Sequence, residues 1–146
     1  MSKIALITHI TGQDGTYLTE LLLKKGYTVH GISLQYPFPN TESVSDDLPV
    51  THPDFHIHYY DRGERQALGN LLAFIQPDEI YNLDVTAEAT ARATFPVAGI
   101  SALKMLEAIR SQGLERRTRY YHASSSALCG LVNGMAINEM VTVNLP

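Results

Sequence analysis

Gly12 and Gly15 stand three residues apart, after the apolar run Ile4-Ala5-Leu6-Ile7 and ahead of an amphipathic segment. Glycines so placed between a buried strand and a helix let backbone N–H groups approach a phosphate. Thr8, Gly12, Gln13, Asp14 and Gly15 are therefore the first candidate site, a dinucleotide-binding turn. His9 holds the first position of a Gly-x-x-Gly-x-x-Gly spacing and adds bulk where only hydrogen is expected. Its imidazole either obstructs a phosphate or turns outward and donates to one. Asp14, beside Gly15, reads as turn chemistry. Three further groups have reactive side chains: the hydroxyls of Ser124-Ser125-Ser126, the imidazoles of His52, His56 and His58, and the lone thiol of Cys129.

The elements that must position these groups alternate. Apolar runs or alternations predict strands at residues 4–7, 28–33, 55–60, 79–83 and 119–123. Helical spacing predicts helices at 17–25, with Leu18, Leu21 and Leu22 on one face, and at 65–75, with Leu68, Leu71, Leu72 and Ile75. A short helix is expected at 86–95, ended by Pro96, and a longer one at 100–112 with Leu103, Leu106 and Ile109 aligned. Gly26, Pro77 and Gly113 stop three of these helices. Residues 34–53, rich in Pro, Asn, Ser and Asp, read as a long mobile loop. The expected fold is α/β: a three-layer, Rossmann-type doubly wound parallel sheet of about five strands. Ligands of such sheets bind beyond the carboxyl ends of the strands. That points to residues 8–15, 33–36, 61–62, 83–86 and 124–127.

Bulk composition narrows the classes. A chain of 146 residues with 45% hydrophobic and 18% charged residues fits one ordinary globular domain. The net charge of −4 and the lack of a Lys/Arg run argue against nucleic acid as a partner. No apolar stretch is long enough for a membrane span, no signal peptide is read at the N-terminus, and a single cysteine cannot form an internal disulfide. A cytoplasmic location is the expectation.

Several strings are more specific. Ser2-Lys3-Ile4-Ala5-Leu6-Ile7-Thr8, Thr11-Gly12-Gln13-Asp14-Gly15 and Gly26-Tyr27-Thr28-Val29-His30-Gly31-Ile32 come first. Gln76-Pro77-Asp78-Glu79-Ile80-Tyr81-Asn82-Leu83 and Ala123-Ser124-Ser125-Ser126-Ala127-Leu128-Cys129-Gly130 follow. Together they resemble the opening of GDP-mannose 4,6-dehydratases, in the extended short-chain dehydrogenase/reductase superfamily. The resemblance covers most of residues 1–132 and weakens beyond. It implies NADP in a Rossmann domain and GDP-mannose in a smaller following domain, absent from these 146 residues. The implied reaction oxidises C4 of the hexose, eliminates water across C5 and C6, and returns the hydride, giving a 4-keto-6-deoxy sugar nucleotide on the way to GDP-fucose and related sugars.

By that resemblance Ser125 takes the position of the hydroxyl that hydrogen-bonds the sugar's C4 oxygen. Asp61 lies near the adenine, and Leu83 lines the cofactor. Other positions depart from the pattern. Ser33-Leu34-Gln35-Tyr36 lacks the basic residues that hold the 2′-phosphate of NADP, and Asp84 and Val85 replace small residues. Tyr60 replaces a glycine and Arg62 an apolar residue, while Ala127 replaces the acid/base Glu. The family's His-x-His-Tyr run carries no inferred metal role, so His56 and His58 are assigned none. Cys129 reads as inert. The four lysines, Lys3, Lys24, Lys25 and Lys104, make no Tyr-x-x-x-Lys. The expectation is a dehydratase-like protein, inactive alone, that forms a homo-oligomer or pairs with a full-length dehydratase. The alternative is a non-catalytic nucleotide-binding or regulatory module for such an enzyme.

Overall fold

The computed structural model describes residues 2–33, 48–59, 67–83 and 94–123. Ala5, Leu6 and Ile7 are fully buried in β1 (Ile4–Thr8) because both faces of the strand are covered. Beside it lie β2 (Thr28–Ser33) and β4 (Glu79–Asn82), and outside these β3 (Phe55–Tyr59) and β5 (Arg119–His122). All four pairings are parallel, in the order β3-β2-β1-β4-β5. The chain thus builds outward from β1 first on one side and then on the other. In sheets of this kind ligands bind where the order reverses, which here is the carboxyl end of β1.

Side chains alternate between two cores. Ala5, Ile7 and Val29 meet Leu22 of α1 (Gln13–Lys24), together with Ile10, Leu48 and Phe55. Leu6, Ile32 and Ile80 point the other way, onto Leu68, Leu72 and Ile75 of α2 (Ala67–Ile75) and Met105, Ala108 and Ile109 of α3 (Thr94–Ser111). The α2 stripe is as expected, with Leu71 partly buried against the same core.

The other two helices differ from expectation. α1 starts at Gln13, four residues before residue 17, so Gly12 becomes its N-cap. Its buried face is Gly15, Thr16, Thr19 and Leu22, whereas Leu21 is 48% exposed. Small residues bring the helix close to the sheet. The two threonine hydroxyls are satisfied by donating to the carbonyls of Gly12 and Gly15 at 3.0 and 2.8 Å. Pro96 does not end a helix. It is the third residue of α3, in the first turn, where a missing N–H costs no intrahelical bond. The inward face of α3 is Met105, Ala108 and Ile109, spaced i, i+3, i+4, while Leu103 and Leu106 are 56% and 47% exposed. Of the expected 34–53 loop, residues 48–53 are described. They form a turn, with Leu48 buried and the N–H of His52 donating to Pro49 O at 2.9 Å. Residues 34–47 and the expected 86–93 helix segment lie outside the described residues.

Candidate functional site

The site is built where β1 turns into α1. After Thr8 the backbone enters the left-handed region at His9 (φ 54°), and the Gly12 N–H donates to His9 O at 3.0 Å. Ile10, fully buried, anchors the turn as its N–H reaches Ile32 O at 3.3 Å. The first helical N–H groups of α1 have no acceptor within the helix and point toward the turn. With the macrodipole they make a place for an anion. Asp14 sits in the first turn and complements the same positive end, so it competes for the charge it would share with a bound anion.

The two glycines do different work. A methyl group on Gly15 would lie 2.7 Å from His9 O, 2.8 Å from Ile10 O and 2.9 Å from Ile10 C. Gly15 is therefore what lets α1 close onto the turn. A methyl group on Gly12 would instead meet the His9 ring, 2.5 Å from Cδ2 and 2.8 Å from Nε2. The imidazole is exposed and lies over Gly12, across the face where backbone would approach a diphosphate. The donors suit such a group, and the ring of His9 shares their space. Gln13 is exposed beside them.

Thr8 has a second task. Its hydroxyl accepts from Leu83 N at 3.0 Å and donates to Asn82 Oδ1 at 2.8 Å. Asn82 Nδ2 then donates to the Tyr120 hydroxyl at 2.9 Å. The network runs from the carboxyl ends of β1 and β4 to Tyr120 within β5 and fixes where the chain leaves β4. Burial raises the Tyr120 hydroxyl above the ordinary tyrosine range, against the Asn82 hydrogen bond, so it stays protonated. His122, in register with Asn82, has a buried Nδ1 with no hydrogen-bond partner among the described residues. Sequence reasoning named Thr8 and Leu83 but missed Asn82 and Tyr120. The available signal was a polar residue ending each of two strands that flank one another.

The structure brings together Thr8, Gly12, Gln13, Asp14, Gly15 and Leu83 around the β1 and β4 ends. Asp61, Asp84, Ser125, Ala127 and Cys129 lie outside the described residues, and so does the segment 34–36. Ser33, at the end of β2, is buried. His52 does not join His56 and His58. It is exposed, and its Nδ1 accepts from the Asp54 N–H at 3.2 Å. The partner of His58 is His30, which sequence reasoning did not single out. Among the described residues no group of three His, Cys, Asp or Glu is arranged to hold a metal ion, and no helix is long and apolar enough to cross a membrane.

Comparison with known proteins agrees with this arrangement. The family model for GDP-mannose 4,6 dehydratase matches residues 6–144. GDP-mannose 4,6-dehydratase of Vibrio cholerae serotype O1 is 44% identical over 145 residues, covering 94% of this chain and 39% of the relative. The enzyme of the same name from Yersinia enterocolitica serotype O:8 is 45% identical over 145 residues, with the same coverage. The chain thus spans about two fifths of the length of these relatives. Among solved structures, the Bordetella bronchiseptica enzyme WbmH in complex with NAD+ superposes with a TM-score of 0.75 at 18% identity, covering 99% of this chain and 47% of that one. That likeness shows the shared fold. A parallel sheet that reverses at a glycine turn, matched by this model over nearly its whole length, places the chain in the GDP-mannose 4,6-dehydratase family.

Proposed function

We propose that this chain binds a nicotinamide dinucleotide, NADP by family resemblance, as the cofactor-binding part of a GDP-mannose 4,6-dehydratase-like protein of nucleotide-sugar metabolism. The observation that carries the reading is the glycine turn at the point where the strand order reverses, with the N-terminus of α1 behind it. The backbone at Gln13 and Asp14 would hold the diphosphate, and Gly15 keeps the helix close enough to present it. The bound dinucleotide would supply hydride acceptance and return. The NAD+ named with the Bordetella structure supports the cofactor class.

GDP-mannose is the proposed sugar nucleotide. Within these 146 residues the acid/base Glu position is Ala127 and no Tyr-x-x-x-Lys occurs. A methyl group cannot remove the C5 proton or protonate a leaving hydroxyl. We therefore read the chain by itself as a binder rather than a catalyst, with Ser125 as the one retained family hydroxyl. A regulatory role beside a full-length dehydratase is the second reading, favoured by the same two features.

The test is thermal stabilisation of the purified chain by NADP, NAD and GDP-mannose, each at a series of concentrations. A ligand that binds only the folded state must raise the melting temperature, by about 2.7 kcal/mol of stability at a hundred times its Kd. No shift with either dinucleotide overturns the reading. Formation of the 4-keto product from GDP-mannose and NADP overturns the inactive part of it. Co-purification with a full-length dehydratase supports the regulatory reading.

A further inference from the structure

The outer edge of the sheet carries a feature the dinucleotide site does not use. His30 pairs with His56 across β2 and β3, and Ile32 with His58. The register puts all three imidazoles on one face of the sheet, the face that meets α2 and α3. The His30 and His56 rings are 4.8 Å apart at 35°, and His30 and His58 stack 5.1 Å apart at 10°. His30 Nδ1 and His58 Nε2 are 2.8 Å apart, the length of one N–H···N hydrogen bond, with one nitrogen donating and the other accepting.

We propose that His30, His56 and His58 form an acid-labile clasp that fastens the edge strand β3 to β2 and releases it when the cluster takes up protons. Charge balance supports this. On the same face β1 offers Ile4, Leu6 and Thr8, and α2 has no ionisable residue. The charged residues Lys104, Glu107 and Arg110 of α3 are exposed. Among the described residues the carboxylate nearest along β3 is Asp54, exposed, two residues before His56. Among the described residues no acid faces the rings to offset a positive charge. A second proton on the hydrogen-bonded pair leaves two donors facing each other at 2.8 Å with no acceptor.

The groups respond accordingly. Burial first, then the charges of His58 and His56, push His30 down to about 4. Burial first, then His56, lowers His58. The folded cluster binds fewer protons than the unfolded chain, whose imidazoles take protons near pH 6.5. Stability from the clasp is therefore complete above that pH and is lost as pH falls toward about 4. The cluster is accessible to protons, because His58 also lines an open groove of about 480 Å³ with Tyr59, Leu71 and Phe74. Among the described strands β3 lies at the edge of the sheet and pairs with β2 alone, so it is the strand such a device can free.

Amide hydrogen exchange of the full chain between pH 7 and 4.5 tests the proposal. Protection factors for residues 55–59 should fall below pH 6.5 by up to about tenfold per pH unit for each proton taken up on opening, with His30 and His58 both contributing. Those of β1 should change less. His30→Gln/His58→Gln keeps a hydrogen-bonding pair that cannot titrate, and it should abolish the extra loss in β3. An equal fall in the double variant, or a fall shared evenly by β1, overturns the proposal. If the variant does not fold, the imidazole C–H proton signals of the unaltered protein decide. Titration of His30 well below free imidazole, together with loss of β3 amide signals, supports the clasp, and titration in the ordinary range refutes it.

Discussion

Replacing Gly15 by alanine measures how tightly α1 must approach the turn. Gly15 is the third residue of α1, and a helix gains about 1 kcal/mol from alanine in place of glycine. Against this, the new methyl would stand 2.7–2.9 Å from three backbone atoms of His9 and Ile10. Ile10 is fully buried, so its backbone cannot swing aside as an exposed side chain can. Overpacking of this kind costs about 1–3 kcal/mol, and contact with fixed backbone puts Gly15→Ala at the upper end. The net loss is about 2 kcal/mol, or roughly 4–8 °C in Tm for a domain of this size. Gly12→Ala provides the control. Its methyl meets chiefly the exposed His9 ring, and the φ of −75° suits alanine, so the change should stay within about 0.5 kcal/mol. Thermal melts followed by circular dichroism, with urea midpoints as a second measure, compare the pair. A Gly15→Ala protein as stable as the parent, or less affected than Gly12→Ala, would refute the close-approach argument.

Other outcomes follow from the same geometry. Thr8→Val strips the acceptor from Leu83 N and the donor from Asn82 Oδ1 at a buried position, and should cost about 2–3 kcal/mol by urea unfolding, while Thr8→Ser should recover most of it. Met105→Ala should cost about 2–5 kcal/mol, whereas Leu103→Gln on the outward face of α3 should stay within about 0.5 kcal/mol, and the reverse order would restore the Leu103-Leu106 stripe as the packing face. His9→Gly removes the ring over Gly12 and should tighten dinucleotide binding in a titration calorimeter; unchanged or weaker affinity would show that the ring does not stand in the way.

Much of this architecture was legible in the sequence because its signals are local. The run Ile4-Ala5-Leu6-Ile7 is consistent with a strand covered on both faces, and the α2 stripe repeats at helical spacing. The errors arose where packing partners decide. Of the leucines expected on one face of α1, Leu22 is buried and Leu18 packs against the core, but Leu21 faces out and the small Gly15, Thr16 and Thr19 complete the inward face. Leu103 and Leu106 outweigh Met105 and Ala108 in hydrophobicity, yet Met105 and Ala108 face the core and the two leucines are exposed. Thr8, Asn82 and Tyr120 are more than thirty residues apart pairwise, and nothing in the linear spacing says that they meet. His30 escaped notice for the same reason: only register across β2 and β3 joins it to His56 and His58. Gly12 and Gly15 declared the turn, but not that the His9 ring lies over one of them.

The central position of β1 also governs the order of assembly. It leaves the ribosome ahead of the other described strands, yet one flank must wait for β4, since Thr8 and Asn82 are 74 residues apart. At synthesis rates of about 5–20 residues per second, that is roughly 4–15 s during which Leu6 has only part of its eventual cover. Parallel sheets close late for this reason, and a fully apolar strand kept waiting is an aggregation hazard. The residues that make β1 the middle of the described sheet make the nascent chain most in need of shelter while β4 is still being made.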